Sequence, residues 1–343
     1  MEYGRIIKRA IDITFRHKVL WIFGIAAAIF GGMEGGRGGG QGIGYSFSPG
    51  TLPRFEIPRM PSPTPPFGPM VPRVPWESIV PIVLLILGII AVFGILWAIV
   101  SIIVRYTSFG ALIGMVNQVE EVEQTTFQSG LRTGWGRLLP LFVINLIIGI
   151  VGIIFAVALV ILMIIGGLFA AIPAILLFSV SEGAGVAGIL IGVIIGLGLI
   201  LLLILLAVAF SAAVTIVREL AFRASVIENR GIFEALGAGL TLLRTRLRET
   251  VLMWLLLALI RLALNILAIP LVLLGMVIIL IPALLGGMLT ESPLIALLGA
   301  TPGIFLVLLA GLFIGGLVLV FYSAVWTLTF RELQFGDMRY QAV

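Results

Sequence analysis

No cysteine occurs among the 343 residues, so disulfides and thiolate-held metals are excluded. There is a single histidine, His17, lodged between Arg16 and Lys18. Zinc motifs that need a histidine pair are therefore ruled out, and no Ser-His-Asp constellation gathers around that one ring. Charge is scarce as well: Asp, Glu, Lys and Arg make up 11% of the chain, against roughly 25% in a soluble domain. Residues 79–104, 138–181, 183–217 and 303–330 carry none of these four types. Each stretch exceeds the ~20 residues that a helix needs to cross a bilayer's hydrocarbon core. Segments of about ten alternating residues, the mark of a membrane β-barrel, are missing too.

What is present is apolar: 61% of the residues. The fold class expected is an all-α integral membrane protein with six transmembrane helices, at roughly 17–33, 79–104, 138–165, 186–216, 252–285 and 303–329. The first is short. Only 12 residues lie between Lys18 and Gly31, about 18 Å of helix, so Arg16 and Lys18 would have to snorkel toward the headgroups.

Short loops rich in Lys and Arg stay in the cytoplasm. The N-terminal segment, the connections carrying Arg105, Arg132 and Arg137 and then Arg218 to Arg248, and the tail with Arg331 and Arg339 are the basic ones. The loops near Glu182 and Glu291 hold no basic residue. Both termini are accordingly expected on the cytoplasmic side of the cell membrane. The net charge of +5 points to anionic lipid headgroups as partners and away from nucleic acid. Residues 31–77 form an outer Gly/Pro-rich loop, with ten prolines from Pro49 to Pro75. Glycine there favours flexible coil and proline favours extended polyproline II; the loop is either a linker or an arm packed on the outer face. No cleavable leader is expected, because no A-x-A-like site ends the first apolar run.

The chain also repeats itself. VRYTSF at 104–109, VRELAF at 217–222 and FRELQF at 330–335 place Arg105, Arg218 and Arg331 at intervals of 113 residues. Glycine pairs recur at FGGM (30–33), IGGL (165–168) and LGGM (285–288). Basic amphipathic segments open each unit: YGRIIKRAIDITFRHK, FQSGLRTGWGRLL and FEALGAGLTLLRTRLRE. Regular spacing of this kind marks internal repetition. Three tandem two-helix units, 1–112, 113–225 and 226–343, follow, each with a cytoplasmic amphipathic helix, packed as one compact membrane domain. An axis along the membrane normal would relate them.

Arg105, Arg218 and Arg331 are expected at helix C-termini, where the dipole is negative and lipid phosphate is in reach. They act as interfacial anchors or, alternatively, as a binding ring. The phenylalanines four residues on share their face. Gly188, Gly192 and Gly196, and likewise Gly311 and Gly315, form small-residue faces that let helices approach closely. Arg261 with Asn265 one turn on, and Asn145 after Pro140, are either a polar site inside the membrane or interfacial anchors. Glu120, Glu121 and Glu123 are expected on a solvated helix face. No catalytic residues, cofactor or metal site are expected. A relay of buried carboxylates is not expected either, because no Asp, Glu or Lys falls clearly inside a span.

ELAFRASVIENRGIFEALGAGLTLLRTRLRETVLMWLLL (219–257) resembles the cytoplasmic connection of bacterial multi-pass proteins grouped with the membrane domain of glycerophosphodiester phosphodiesterases. TTFQSGLRTGWGRLLPLFVINLI (125–147) shows the same pattern. In those enzymes catalysis belongs to a separate soluble barrel, which the resemblance does not cover. The resemblance thus implies a six-helix membrane domain in a bacterial inner membrane. The function expected is non-enzymatic: a structural or accessory protein that organises lipids or a complex with other membrane proteins. The alternative is a transporter or channel along the pseudo-threefold axis, with a central cavity lined by Ser101, Asn145, Arg261, Asn265 and Thr327.

Overall fold

A 13-residue apolar helix cannot cross ~30 Å of hydrocarbon unaided, and the first unit contains just such a helix. The computed structural model describes residues 2–31, 76–178, 181–290 and 293–341. The outer loop read at 31–77 therefore falls almost wholly outside the described residues. Helix α1 (Tyr3–Arg16) and helix α2 (Val19–Gly31) meet at His17 and Lys18 and are bent by 96°. Trp21 holds the elbow: its indole N–H donates to the Thr14 carbonyl at 2.7 Å, one of the carbonyls that a helix end leaves without an intrahelical partner. α1 buries Ile6, Ala10, Ile13 and Thr14, the i, i+4, i+7, i+8 stripe of an amphipathic helix.

The remaining elements are α3 (Trp76–Val122), α4 (Phe127–Phe178), α5 (Glu182–Ile227), α6 (Ile232–Thr245), α7 (Leu247–Thr290) and α8 (Pro293–Gln341). No strand occurs among the described residues. Five helices, α3, α4, α5, α7 and α8, are long and apolar enough to span a membrane, and the α1–α2 pair adds a sixth candidate. The described residues form an all-helical, multi-pass membrane protein.

Consecutive long helices form antiparallel hairpins closed by glycine. A Cβ on Gly188 of α5 would lie 2.5 Å from the Pro173 carbonyl of α4. On Gly303 of α8 it would lie 3.0 Å from the Ile278 carbonyl of α7. α2 packs against both α3 and α8. Its crossing with α8 is made by Gly24 and Gly316, where a Cβ on Gly316 would sit 2.8 Å from the Ile25 nitrogen. The predicted face of Gly311 and Gly315 is thus displaced by one residue: Gly315 has only Ala28 Cβ nearby, at 3.9 Å. Gly192 meets the Ala170 carbonyl, while Gly196 has ordinary contact with Ala170.

Three expectations are corrected. First, the arginines do not stand at helix C-termini. α3 runs on to Val122 beyond Arg105, α5 to Ile227 beyond Arg218, and α8 to Gln341 beyond Arg331. α3 and α5 continue because the residues past Arg105 and Arg218 pack on one another as a core, so leaving the apolar stretch does not end them. Second, the amphipathic segment of the middle unit is no separate helix; it is the opening of α4, unbroken through Pro140. Third, the apolar segments do not form a compact bundle. From 83 to 100 in α3 no described residue is buried, and in α5 between 183 and 210 the buried residues are Gly185, Gly188, Gly192 and Leu203. The packed core lies at the charged end instead. It contains Leu112, Met115 and Val116 of α3, Leu220 and Ala224 of α5, Ala324, Val325 and Phe330 of α8, and the inner face of α1.

Candidate functional site

Polar residues collect in one layer, where the splayed apolar arms meet this core. Its centre is a buried ion pair on α5. The Arg223 guanidinium, 2% exposed, donates through Nη1 to Glu219 Oε2 at 2.6 Å and to the Glu219 carbonyl at 2.6 Å. Its Nη2 reaches the Ser323 carbonyl of α8 at 3.5 Å. Arg218 approaches the other oxygen of Glu219 at 3.4 Å. Two cations thus share one carboxylate where α5 meets α8.

Neither Glu219 nor Arg223 was anticipated as a site residue; Arg223 stands in the sequence as one more basic loop residue. Two signals were available. Glu219 and Arg223 have the i, i+4 spacing that pairs on a helix face. The neighbours Ala221, Ala224 and Ser225 are small enough to let another helix close over them.

The sequence-predicted residues divide among three places. Arg105 is half-buried on α3 and close enough to Arg218 for their charges to repel. Beside it Tyr106, 4% exposed, hydrogen-bonds Asn145 of α4. Ser101 donates to the Trp97 carbonyl one turn back, at 2.7 Å. These groups close the inner end of a cavity of about 390 Å³ between α2, α3 and α4, walled by Phe30, Ile102, Phe142, Leu146 and Ile150. Arg261 lies elsewhere, its guanidinium 5.1 Å from the Tyr322 ring centroid on α8, and Asn265 faces outward one turn on. Thr327 is fully buried and donates to the Ser323 carbonyl at 2.8 Å. The polar residues that a shared central cavity would need are therefore separated.

Arg331 is drawn into protein contacts. Its Nη1 donates to Asn117 Oδ1 at 2.5 Å and lies 3.4 Å from Glu121 Oε1. Glu120 in turn takes a 2.7 Å bond from Arg9 Nε of α1. Glu121 and Glu123 are exposed, as expected of a solvated face, whereas Glu120 is drawn into the contact with α1; with Arg331 on Asn117, these contacts tie α1 and α8 to the end of α3. Phe222, four residues past Arg218, is 6% exposed and belongs to the core.

These contacts fix the register. Asn117 is twelve residues past Arg105, so Arg331 sits about 18 Å along the axis from the level of Arg105. The Arg223–Ser323 contact gives the same displacement of α8 against α5. Arg105 and Arg218 share a level, and Arg331 does not join them in a ring.

No family model, curated protein or solved structure matches this chain. What the layer can do follows from its own chemistry. No cluster of three or more metal-ligating side chains occurs among the described residues. Fixed cations at the inner end of apolar, lipid-facing helices suit the holding of anionic amphiphiles.

Proposed function

We propose that the protein is a non-enzymatic accessory component of a membrane, organising lipids or neighbouring membrane proteins between its helical hairpins. One observation carries this reading. The hairpins are joined at their charged end by a packed core, while their apolar arms bury almost nothing against one another. Apolar flanks of that kind are covered by acyl chains or by the spans of a partner. Glycine-lined crossings keep each hairpin closed without an apolar core between hairpins.

The finer topology belongs to the same proposal. In the sixth crossing α1 lies along the inner surface and α2, about 20 Å long, crosses where the bilayer is thinned; the charged end with both termini faces the cytoplasm of a bacterial cell. Three ancestral two-helix units account for the recurring Arg-x-x-x-Phe steps. The likeness of 219–257 to the membrane domain of glycerophosphodiester phosphodiesterases fits a role outside catalysis. For transport along a central axis the support is weaker, since Ser101 and Asn145 line one groove while Arg261 and Thr327 lie apart from it.

The test is gentle purification from the native membrane, followed by identification of the proteins and lipids that come along. Reproducible recovery of particular lipids or membrane proteins is expected. A lone monomer carrying neither would sink the proposal.

A further inference from the structure

The groove between α2, α3 and α4 has two ends of opposite character. Phe30, Phe142, Leu146, Ile150 and Ile153 make its walls apolar, and it opens toward the lipid-facing surfaces of α3 and α4. Its inner end carries Arg105, Tyr106, Asn145 and Ser101. A volume of about 390 Å³ falls within the range of small-ligand pockets, roughly 300–1,000 Å³.

We propose that this groove is a binding site for one anionic phospholipid, with the phosphate against Arg105 and an acyl chain along the Phe30–Phe142–Ile153 wall. The inference rests on the lipid-organising reading and narrows it to one place and one class of ligand.

Three observations choose the occupant. The guanidinium is a planar fork that matches two phosphate oxygens, and it keeps its charge at every physiological pH. Arg105 and Arg218 repel each other, and the one carboxylate beside them, Glu219, is already paired with Arg223 as well as Arg218. That positive excess favours a lipid with net negative charge over a zwitterion, whose ammonium would meet the same field. Finally, the walls are hydrocarbon beside hydrocarbon. A free phosphate would gain nothing from them, whereas an acyl chain fills them at no cost in polar desolvation. The Asn145 amide and the Tyr106 hydroxyl line the same end of the groove as partners for ester oxygens, the Ser101 hydroxyl hydrogen being held by the Trp97 carbonyl.

One residue separates this site from simple surface charge. Gly149 of α4 lines the groove, and a Cβ placed there meets nothing within 4 Å. Gly149→Leu therefore adds bulk at the groove wall, where the Cβ has open space, and leaves Arg105 in place.

The experiment is native mass spectrometry of the full chain in mild detergent, titrated with phosphatidylglycerol or phosphatidylcholine. One phosphatidylglycerol adduct should survive activation that strips phosphatidylcholine. Arg105→Gln should weaken that adduct about tenfold, the loss of one charge-assisted contact, and Arg105→Lys should restore part of it. Gly149→Leu should remove it, and Arg331→Gln, outside the groove, should keep it. Unchanged helix content and a single monodisperse species qualify each variant. Retention in Gly149→Leu, or in Arg105→Gln, would overturn the site. Lipids that co-purify from native membranes but ignore both substitutions would leave the broader function standing and remove this inference. Absence of any retained lipid or protein would remove both.

Discussion

Replacing Arg223 by methionine asks whether the most buried charge among the described residues works as half of a pair. Arg223→Met keeps most of the side-chain volume and deletes the guanidinium. Glu219 is then left to Arg218, 3.4 Å away and on one oxygen only. Breaking a buried ion pair from one side generally costs about 3–5 kcal/mol, because the remaining charge is stranded. Glu219 keeps 20% side-chain exposure and its second cation, so the expected loss is smaller, about 2–3 kcal/mol.

The double variant Glu219→Gln with Arg223→Met removes both charges together. It should fall within about 1 kcal/mol of the parent, since an ion pair replaced whole by groups of similar size is often neutral. Arg223 Nε, buried without a hydrogen-bond partner, adds to that expectation, because the parent network is itself incompletely satisfied. The coupling energy between the two positions is then about 2 kcal/mol. Reversible unfolding in mixed detergent–SDS micelles measures it, with far-UV circular dichroism as the global readout. The fluorescence of Trp326, buried in the same core, reports locally. A double variant that loses as much as the two single variants combined would refute the reasoning.

Cross-linking tests the register, and the absence of native cysteine makes it direct. Cysteines at Asn117 and Arg331 should join through a short thiol linker, whereas cysteines at Arg105 and Arg331 should not; the reverse would restore the level ring of arginines. Gly316→Ala should destabilise by about 1–3 kcal/mol, since the new methyl would press on the Ile25 backbone, while Gly315→Ala should be tolerated; SDS-unfolding midpoints separate the two. Glu228, at the end of α5 and outside the apolar arms, has its carboxyl pushed upward chiefly by burial, which outweighs the nearby Arg230. Its charged form is therefore disfavoured in the folded state, and the stability it contributes at low pH is lost as pH rises through its folded value. Glu228→Gln should raise the thermal midpoint at neutral pH, with the advantage shrinking as pH falls; a gap that widens in acid would contradict this.

Composition and the absence of charge were enough to establish helices in a membrane. No other environment accommodates uncharged apolar runs longer than twenty residues, and in that environment the backbone has to satisfy itself within each helix. The small-residue face of Gly188 and Gly192 was legible for a similar reason, because residues at four-residue spacing lie on one face; that α4 closes over it was not. The level of α8 was not legible. A repeat interval counts residues along the chain, but height in the bundle is set by which side chains pair: Arg331 with Asn117, Arg223 with the Ser323 carbonyl, Gly24 across Gly316. The same holds for Arg105. Its sequence neighbourhood matched those of Arg218 and Arg331, yet packing turned Arg218 toward Glu219, tied Arg331 to α3, and set Arg105 beside the Tyr106 ring at the end of a groove. The sequence by itself determined the solvent of the helices and the residues that could carry charge among them. Only the tertiary structure decided which charges meet each other and which line the lipid-facing groove, because that depends on contacts between helices far apart in the chain.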